Sequence, residues 1–189
     1  MVDTIQAVAT VVEMRDLYTA GHQLRVAELA FAIAQEMGLG DECANGVYLA
    51  GIVHDIGKIH IPAEILSKPA KLSPIEYEMV KTHSQNGYEI LKGIEFPWPI
   101  AQAVLQHHER MDGSGYPQGL KNENILIEAR ILAVADVVDS MSSHRPYRAG
   151  LGIKLALAEI RKHRGKLYDR AVVDACLKLF REKRFTFSK

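Results

Sequence analysis

Stretch after stretch of this chain carries apolar residues three and four positions apart. No stretch of useful length alternates apolar with polar residues. That spacing puts the apolar side chains of each segment on one helical face. It commits the chain to an all-helical architecture whose stripes must be buried against one another. The 189 residues suit a single domain, residues 1–189, built as a bundle of about seven or eight helices. Hydrophobic residues make up 48% and charged residues 24%, ordinary values for a chain with a real core.

The helices are read in order from spacing and punctuation. A first spans about residues 2–18, with Ile5, Val8, Val11 and Val12 as its stripe. A second, about 19–37, stops at Gly38-Leu39-Gly40. A third starts near Asp41, a cap-type residue, and ends at Gly57. Ser73-Pro74-Ile75-Glu76 opens a fourth, with a cap serine, a first-turn proline and a glutamate three residues after the cap. This helix puts Met79, Val80, His83, Gly87 and Ile90 on one face. After the break at Phe96-Pro97-Trp98-Pro99 another helix runs to His108. Residues 111–125 form a polar glycine-rich loop. Ile127 to about Ser140 is strongly apolar, and two amphipathic helices near 152–163 and 170–182 close the chain, the last capped by Asp169.

Several stripes carry a residue that does not belong in a core. His22 shares a face with Val26, Ala30 and Ile33. His54 follows Val47, Ala50 and Gly51 at helical spacing. His83, His107 and Asp136 sit in the same way on their own stripes, and His108 follows Val104 and Leu105. One inward histidine is usually a satisfied core residue. A whole set of them, with Asp55 and Asp136, implies separate burial penalties of about 1–3 kcal/mol each unless a common partner offsets them. A metal centre is such a partner. Adjacent helical residues point about 100° apart, so His54-Asp55 and His107-His108 suit two neighbouring ions better than one, with Asp55 able to bridge. Mixed imidazole and carboxylate donors favour a first-row transition metal over calcium or magnesium. Two such ions a few ångströms apart suit attack of an activated hydroxide on a phosphate ester.

The motifs resemble the HD-GYP subgroup of the HD-domain phosphohydrolases. The likeness is carried by His54-Asp55 within His54 to Pro62, by Gly115-Tyr116-Pro117 within His107 to Pro117, and by Arg15 to His22. Lys68 to Leu72, Ala135-Asp136-Val137 and Arg145-Pro146-Tyr147-Arg148 extend it over nearly the whole chain. The resemblance implies a metal-dependent phosphodiesterase that hydrolyses cyclic di-GMP to pGpG, with further cleavage to GMP open. It implies His22, His54, Asp55, His83, His107, His108 and Asp136 as metal ligands. Lys58 falls near the scissile phosphate, and Tyr116, Arg145 and Arg148 at ligand-contacting positions. Iron or manganese is the implied pair of divalent ions. Some members carry a glutamate one turn before the first histidine and hold a third metal. Here that position is Tyr18, so two ions are expected.

Each role has a plainer alternative in the residues themselves. Lys58 can be a solvated lysine, Tyr116 a structural turn residue, and Arg145 and Arg148 an exposed pair. Asp112 and Asp139 are candidate partners of ligating imidazoles. The substrate can also be another cyclic dinucleotide or a nucleotide, and a non-catalytic module that binds a diguanylate cyclase is the reading from a different class. Zero net charge argues against a nucleic-acid polymer as partner; a homodimer is compatible with the sequence. Cys43 and Cys176 read as buried reduced thiols. With no signal-peptide pattern and no membrane-length apolar run, the expected location is the cytoplasm. The expected context is the output module of a longer protein.

Overall fold

The computed structural model describes residues 11–12, 21–143 and 151–187. Among them are eight α-helices longer than one turn: α1 (His22–Glu36), α2 (Gly40–Val53), α3 (Pro74–Lys81), α4 (His83–Leu91), α5 (Ile100–Gln106), α6 (Ile127–Ser142), α7 (Ile153–Lys162) and α8 (Arg170–Arg181). A single helical turn, Ala63–Leu66, and two 3-10 turns, Ile56–His60 and Asn122–Asn124, complete the regular structure. No strand occurs among the described residues, so the all-helical bundle read from the spacing stands. Of the first expected helix only Val11 and Val12 lie within the described residues. Both are helical, but Val12 is buried and Val11 is exposed, so the stripe does not include Val11.

Helix α1 is the central packing element, lying against α2, α6 and α8. Its inward residues Val26, Leu29, Ala30 and Ile33 have no exposed surface. Full burial of a leucine or isoleucine is worth about 1.5–3 kcal/mol, which is why this face dictates the packing. Its end is a Schellman motif. Gly38 takes a left-handed φ of 70°, its N–H donates to Gln35, and the Leu39 N–H donates to Ala34.

Local signals elsewhere act as their chemistry demands. The Ser73 hydroxyl accepts from the Glu76 N–H, and the Glu76 carboxylate accepts from the Ser73 N–H at 2.6 Å. Asp169 caps α8 through the Ala171 and Val172 amides.

Three boundaries differ from expectation. Asp41 does not cap α2. Leu39 holds that position, and Asp41 sits in the first turn accepting from the Gln35 amide at 2.8 Å. Helix α2 ends at Val53, and the chain then tightens into the 3-10 turn Ile56–His60 rather than continuing to Gly57. The long helix from Ser73 is two helices, α3 and α4, meeting at Thr82. There the Thr82 amide and hydroxyl both donate to the Met79 carbonyl, at 3.1 and 2.7 Å, which interrupts the regular ladder. Met79 and Ile90 are consequently exposed, and the buried residues of this segment are His83, Ser84, Gly87 and Leu91.

Candidate metal centre

The site is assembled from helix ends. His54 follows the last residue of α2, His107 follows α5, and His83 lies just past the end of α3, at the start of α4. Each imidazole folds back on its own helix. Nδ1 of His54 meets the Gly51 carbonyl at 2.7 Å, Nδ1 of His83 the Val80 carbonyl at 2.7 Å, and Nδ1 of His107 the Val104 carbonyl at 2.6 Å. The last carbonyls of a helix lack helical donors, and a carbonyl can only accept. Each Nδ1 therefore carries the hydrogen, and each Nε2 presents a lone pair to the interior.

Those lone pairs meet. The Nε2 lone pairs of His83 and His107 face each other 3.3 Å apart, and Nε2 of His108 lies 3.1 Å from that of His83. Nε2 of His54 is fully buried and makes no hydrogen bond. Two lone pairs cannot bond one another, so a proton or a cation must stand between them. Protonation is disfavoured. Burial, then the neighbouring His54 and His83, pushes His107 down to about 3. Burial and the flanking imidazoles hold His108 far below the ordinary range, and burial lowers His83. The chemistry of the donor set thus fits a cation.

The donors form two groups. His83, His107 and His108 make one, and His22, His54 and Asp136 the other, with the donor atoms of each group within 4.8 Å of one another. Asp55 stands between them: Oδ1 lies 3.5 Å from His83 Nε2, and Oδ2 lies 3.6 Å from His54 Nε2 and 3.9 Å from His22 Nε2. Burial works against ionisation of Asp55, but the charges of Lys58 and the surrounding histidines outweigh it and keep the carboxylate ionised. Asp136 is likewise held ionised against its burial, through its contact with His22 at 3.3 Å.

Two backbone approaches make this convergence possible. A Cβ on Gly57 would collide with the His83 carbonyl and the Gly87 amide, so only glycine lets the turn after His54-Asp55 lie directly on α4. A Cβ on Gly115 would collide with the backbone of His108–Arg110, against which the loop folds, with the Tyr116 N–H donating to the His108 carbonyl. The Tyr116 ring stacks on His108, centroids 4.7 Å apart.

Residues 6–172 match a family described as HD domain. The chain is an HD-domain protein.

Three relatives show where this HD domain sits. It is 42% identical over 178 residues to the cyclic di-GMP phosphodiesterase response regulator RpfG of Xanthomonas campestris pv. campestris, covering 93% of this chain and 47% of that protein. It is 45% identical over 172 residues to a cyclic di-GMP phosphodiesterase of Thermotoga maritima, covering 90% and 47%. It is 41% identical over 145 residues to 3'3'-cGAMP-specific phosphodiesterase 1 of Vibrio cholerae, covering 77% and 34%. The chain spans less than half the length of these curated relatives. The fold is shared with the crystal structure of V-cGAP3 of V. cholerae, with a TM-score of 0.70 at 18% identity, covering 95% of this chain and 49% of that one.

All seven residues proposed from sequence as ligands of the HD domain meet in this cluster. Lys58 reaches it as well, with Nζ 2.7 Å from Asp55 Oδ2. Tyr116 borders it through His108. Arg145, Arg148 and Tyr18 lie outside the described residues. Asp139 is a partner of a site imidazole, 2.7 Å from His22 Nδ1. Asp112 is not: it accepts from the amide and hydroxyl of Ser114 within its own turn, because the loop carries it away from the imidazoles.

Two groups behind the site, half-buried Arg25 and buried Glu109, escaped the sequence reading. Arg25 binds both oxygens of Asp139, at 2.7 and 3.1 Å. It lies three residues from His22, and that helical spacing was the available signal. Glu109, only 2% exposed, accepts from the Gln118 and Leu120 amides and so ties down the loop that carries Tyr116. Its place beside His107-His108 was the only hint.

Proposed function

We propose that this HD domain is a metal-dependent phosphodiesterase that opens cyclic di-GMP to pGpG. The observation that supports it most is the pair of Nε2 lone pairs of His83 and His107 aimed at each other across 3.3 Å, an arrangement that a bound cation stabilises and that structural packing alone does not. Two groups of donors sharing Asp55 argue for two ions per chain, iron or manganese being the pair that the motif resemblance favours. When bound, such ions polarise a phosphoryl oxygen and acidify water.

The side chains divide the remaining work. Neutral His83, His107 and His108 and ionised Asp55 and Asp136 are in the protonation state that ligation needs. Asp139 and Arg25 orient His22. Lys58 offers an ammonium beside Asp55, placed to stabilise charge on the phosphate oxygens or to protonate the leaving O3′. Water adds to phosphorus, the P–O3′ bond breaks, and linear pGpG results. Arg145 and Arg148 complete the ligand contacts in this reading.

The identity to a 3'3'-cGAMP-specific relative supports a second substrate of the same class. We further propose a cytoplasmic output module of a longer protein, able to pair as a homodimer or with a diguanylate cyclase. Among the described residues no helix is long and apolar enough to cross a membrane.

The test is metal analysis of anaerobically prepared protein together with product chromatography on cyclic di-GMP, 3'3'-cGAMP and mononucleotides. About two ions per chain and pGpG as first product are expected. Full metal content with no turnover of any cyclic dinucleotide would leave a binding module instead.

A further inference from the structure

Beside the metal centre lies a pocket of about 390 Å³ between the α3–α4 junction and the Tyr116 loop. The volume is in the range of small-ligand sites. One wall is Tyr116, whose ring has the Lys81 ammonium above it at 5.3 Å. Thr82 and Asn86 contribute from the start of α4, where the Asn86 amide donates to the Thr82 hydroxyl at 3.2 Å. Glu78 stands on the other side, its carboxylate 2.8 Å from Lys81. Thr82 is the residue immediately before His83, so the pocket abuts the metal ligands through the backbone as well as through Tyr116.

The lining excludes several ligands by its chemistry. Five of its seven residues, Glu78, Lys81, Thr82, Gln85 and Asn86, end in polar or charged groups, which a lipid or an aliphatic group would leave unpaired. It suits a free phosphate poorly, because the Glu78 carboxylate neutralises the only lysine in the wall. What remains is a neutral, planar ligand that offers donors and acceptors along one edge, next to an aromatic ring and a cation. A purine is such a ligand. Guanine and adenine then differ in sign at the same place. Guanine turns N1–H and N2–H₂ donors outward with O6 beside them, a match for a carboxylate next to an ammonium. Adenine turns the N1 lone pair outward, which faces the carboxylate unfavourably.

We propose that this pocket is a base-recognition site of the cyclic dinucleotide, in which Glu78 and Lys81 select guanine over adenine. The inference rests on the phosphodiesterase reading and adds to it the residues that choose among substrates of that class. Glu78 accepts from the N1–H and N2–H₂ group, Lys81 donates to O6, and Tyr116 bounds the base on the side nearest the metals. Both selecting residues lie on the surface of α3, outside the core, so their replacement leaves the capping box and the metal ligands in place.

The test compares kcat/KM for cyclic di-GMP and cyclic di-AMP in the full chain loaded with manganese. These substrates differ only in their bases. The wild type is expected to prefer cyclic di-GMP. Glu78→Ala and Lys81→Ala are each expected to shrink that preference by at least about tenfold. Glu78→Gln, which keeps the size but turns an N–H₂ toward the guanine donors, is expected to do the same. A preference within about twofold of wild type in all three variants, or a wild type that prefers cyclic di-AMP, overturns the assignment while the phosphodiesterase reading stands. A wild type that cleaves neither substrate removes both.

Discussion

Nδ1 of His22 lies 2.7 Å from Oδ2 of Asp139, and the far side of that carboxylate is gripped by Arg25. Asp139 itself is 1% exposed. The contact sets the imidazole with its hydrogen on Nδ1 and its Nε2 toward Asp136 and Asp55. Asp139→Asn keeps the shape but removes the charge and can present an amide hydrogen to Nδ1. We expect metal affinity to fall by about 10–100-fold, read by competition with a coloured chelator. Activity should return when the ion is supplied in excess, because the ligands themselves are unchanged.

Lys58 touches Asp55 but does not belong to either donor group. Lys58→Ala should therefore leave metal content close to wild type and lower turnover by about 10²–10³-fold, the usual loss when a charge that stabilises the transition state is removed. Metal analysis and initial rates on one preparation separate the two effects. An empty site in this variant would make Lys58 a structural counter-charge for Asp55 and not a substrate-facing group.

What could be read from the sequence tracks how local each cause is. The Ser73 box, the Gly38 stop and the Asp169 cap are decided by neighbours within a few residues, and all three act as expected. The convergence of His22, His54, His83 and His107 was legible because each sits one turn from a core residue on a helical stripe. The break at Thr82 was not. Helical spacing continues through it, and only the back-bonding of its hydroxyl to Met79 and the need to turn His83 inward interrupt the helix. The self-bonding of three imidazoles to their own helix ends was hidden for a related reason. It depends on where α2, α3 and α5 stop, and helix ends are the part of a pattern that spacing fixes least. The anchoring role of Glu109 is hidden from the sequence because its two amide donors lie nine and eleven residues away.

Gly57 couples fold to site through a single hydrogen atom. Its missing Cβ allows the turn after Asp55 to rest on the backbone of His83 and Gly87, and backbone cannot rotate aside as a side chain can. Gly57→Ala should destabilise the protein by about 1–3 kcal/mol, the common cost of overpacking. It should also push His54-Asp55 away from His83 and reduce metal content. Thermal melting with and without added manganese checks both. Loss of stability without loss of metal would show that the site tolerates the displacement.

Metal binding should depend on pH in a direction set by His22. Burial opposes a charge on this imidazole, but hydrogen bonds to Asp136 and Asp139 and the charges of Asp136 and Asp55 outweigh it, raising the group from 6.5 to about 9 in the metal-free protein. At pH 7 the folded protein therefore holds a proton where a cation is to bind. A proton should be released on loading, and affinity should rise by about tenfold per pH unit until pH 9 is approached. The same shift stabilises the metal-free fold. That contribution is fully present below pH 6.5, where folded and unfolded His22 are both protonated, and is lost as pH rises through about 9. His107 acts in the opposite sense. Its native ring stays neutral down to about pH 3, whereas the unfolded ring takes up a proton near 6.5, so stability declines as pH falls across that window. Titration calorimetry of manganese into metal-free protein, in buffers of different ionisation enthalpy, counts the released protons. His22→Ala should abolish the His22 share of that release while leaving the acid-side loss of stability, because His107 is untouched; an unchanged proton count in this variant would place the displaced proton on another group.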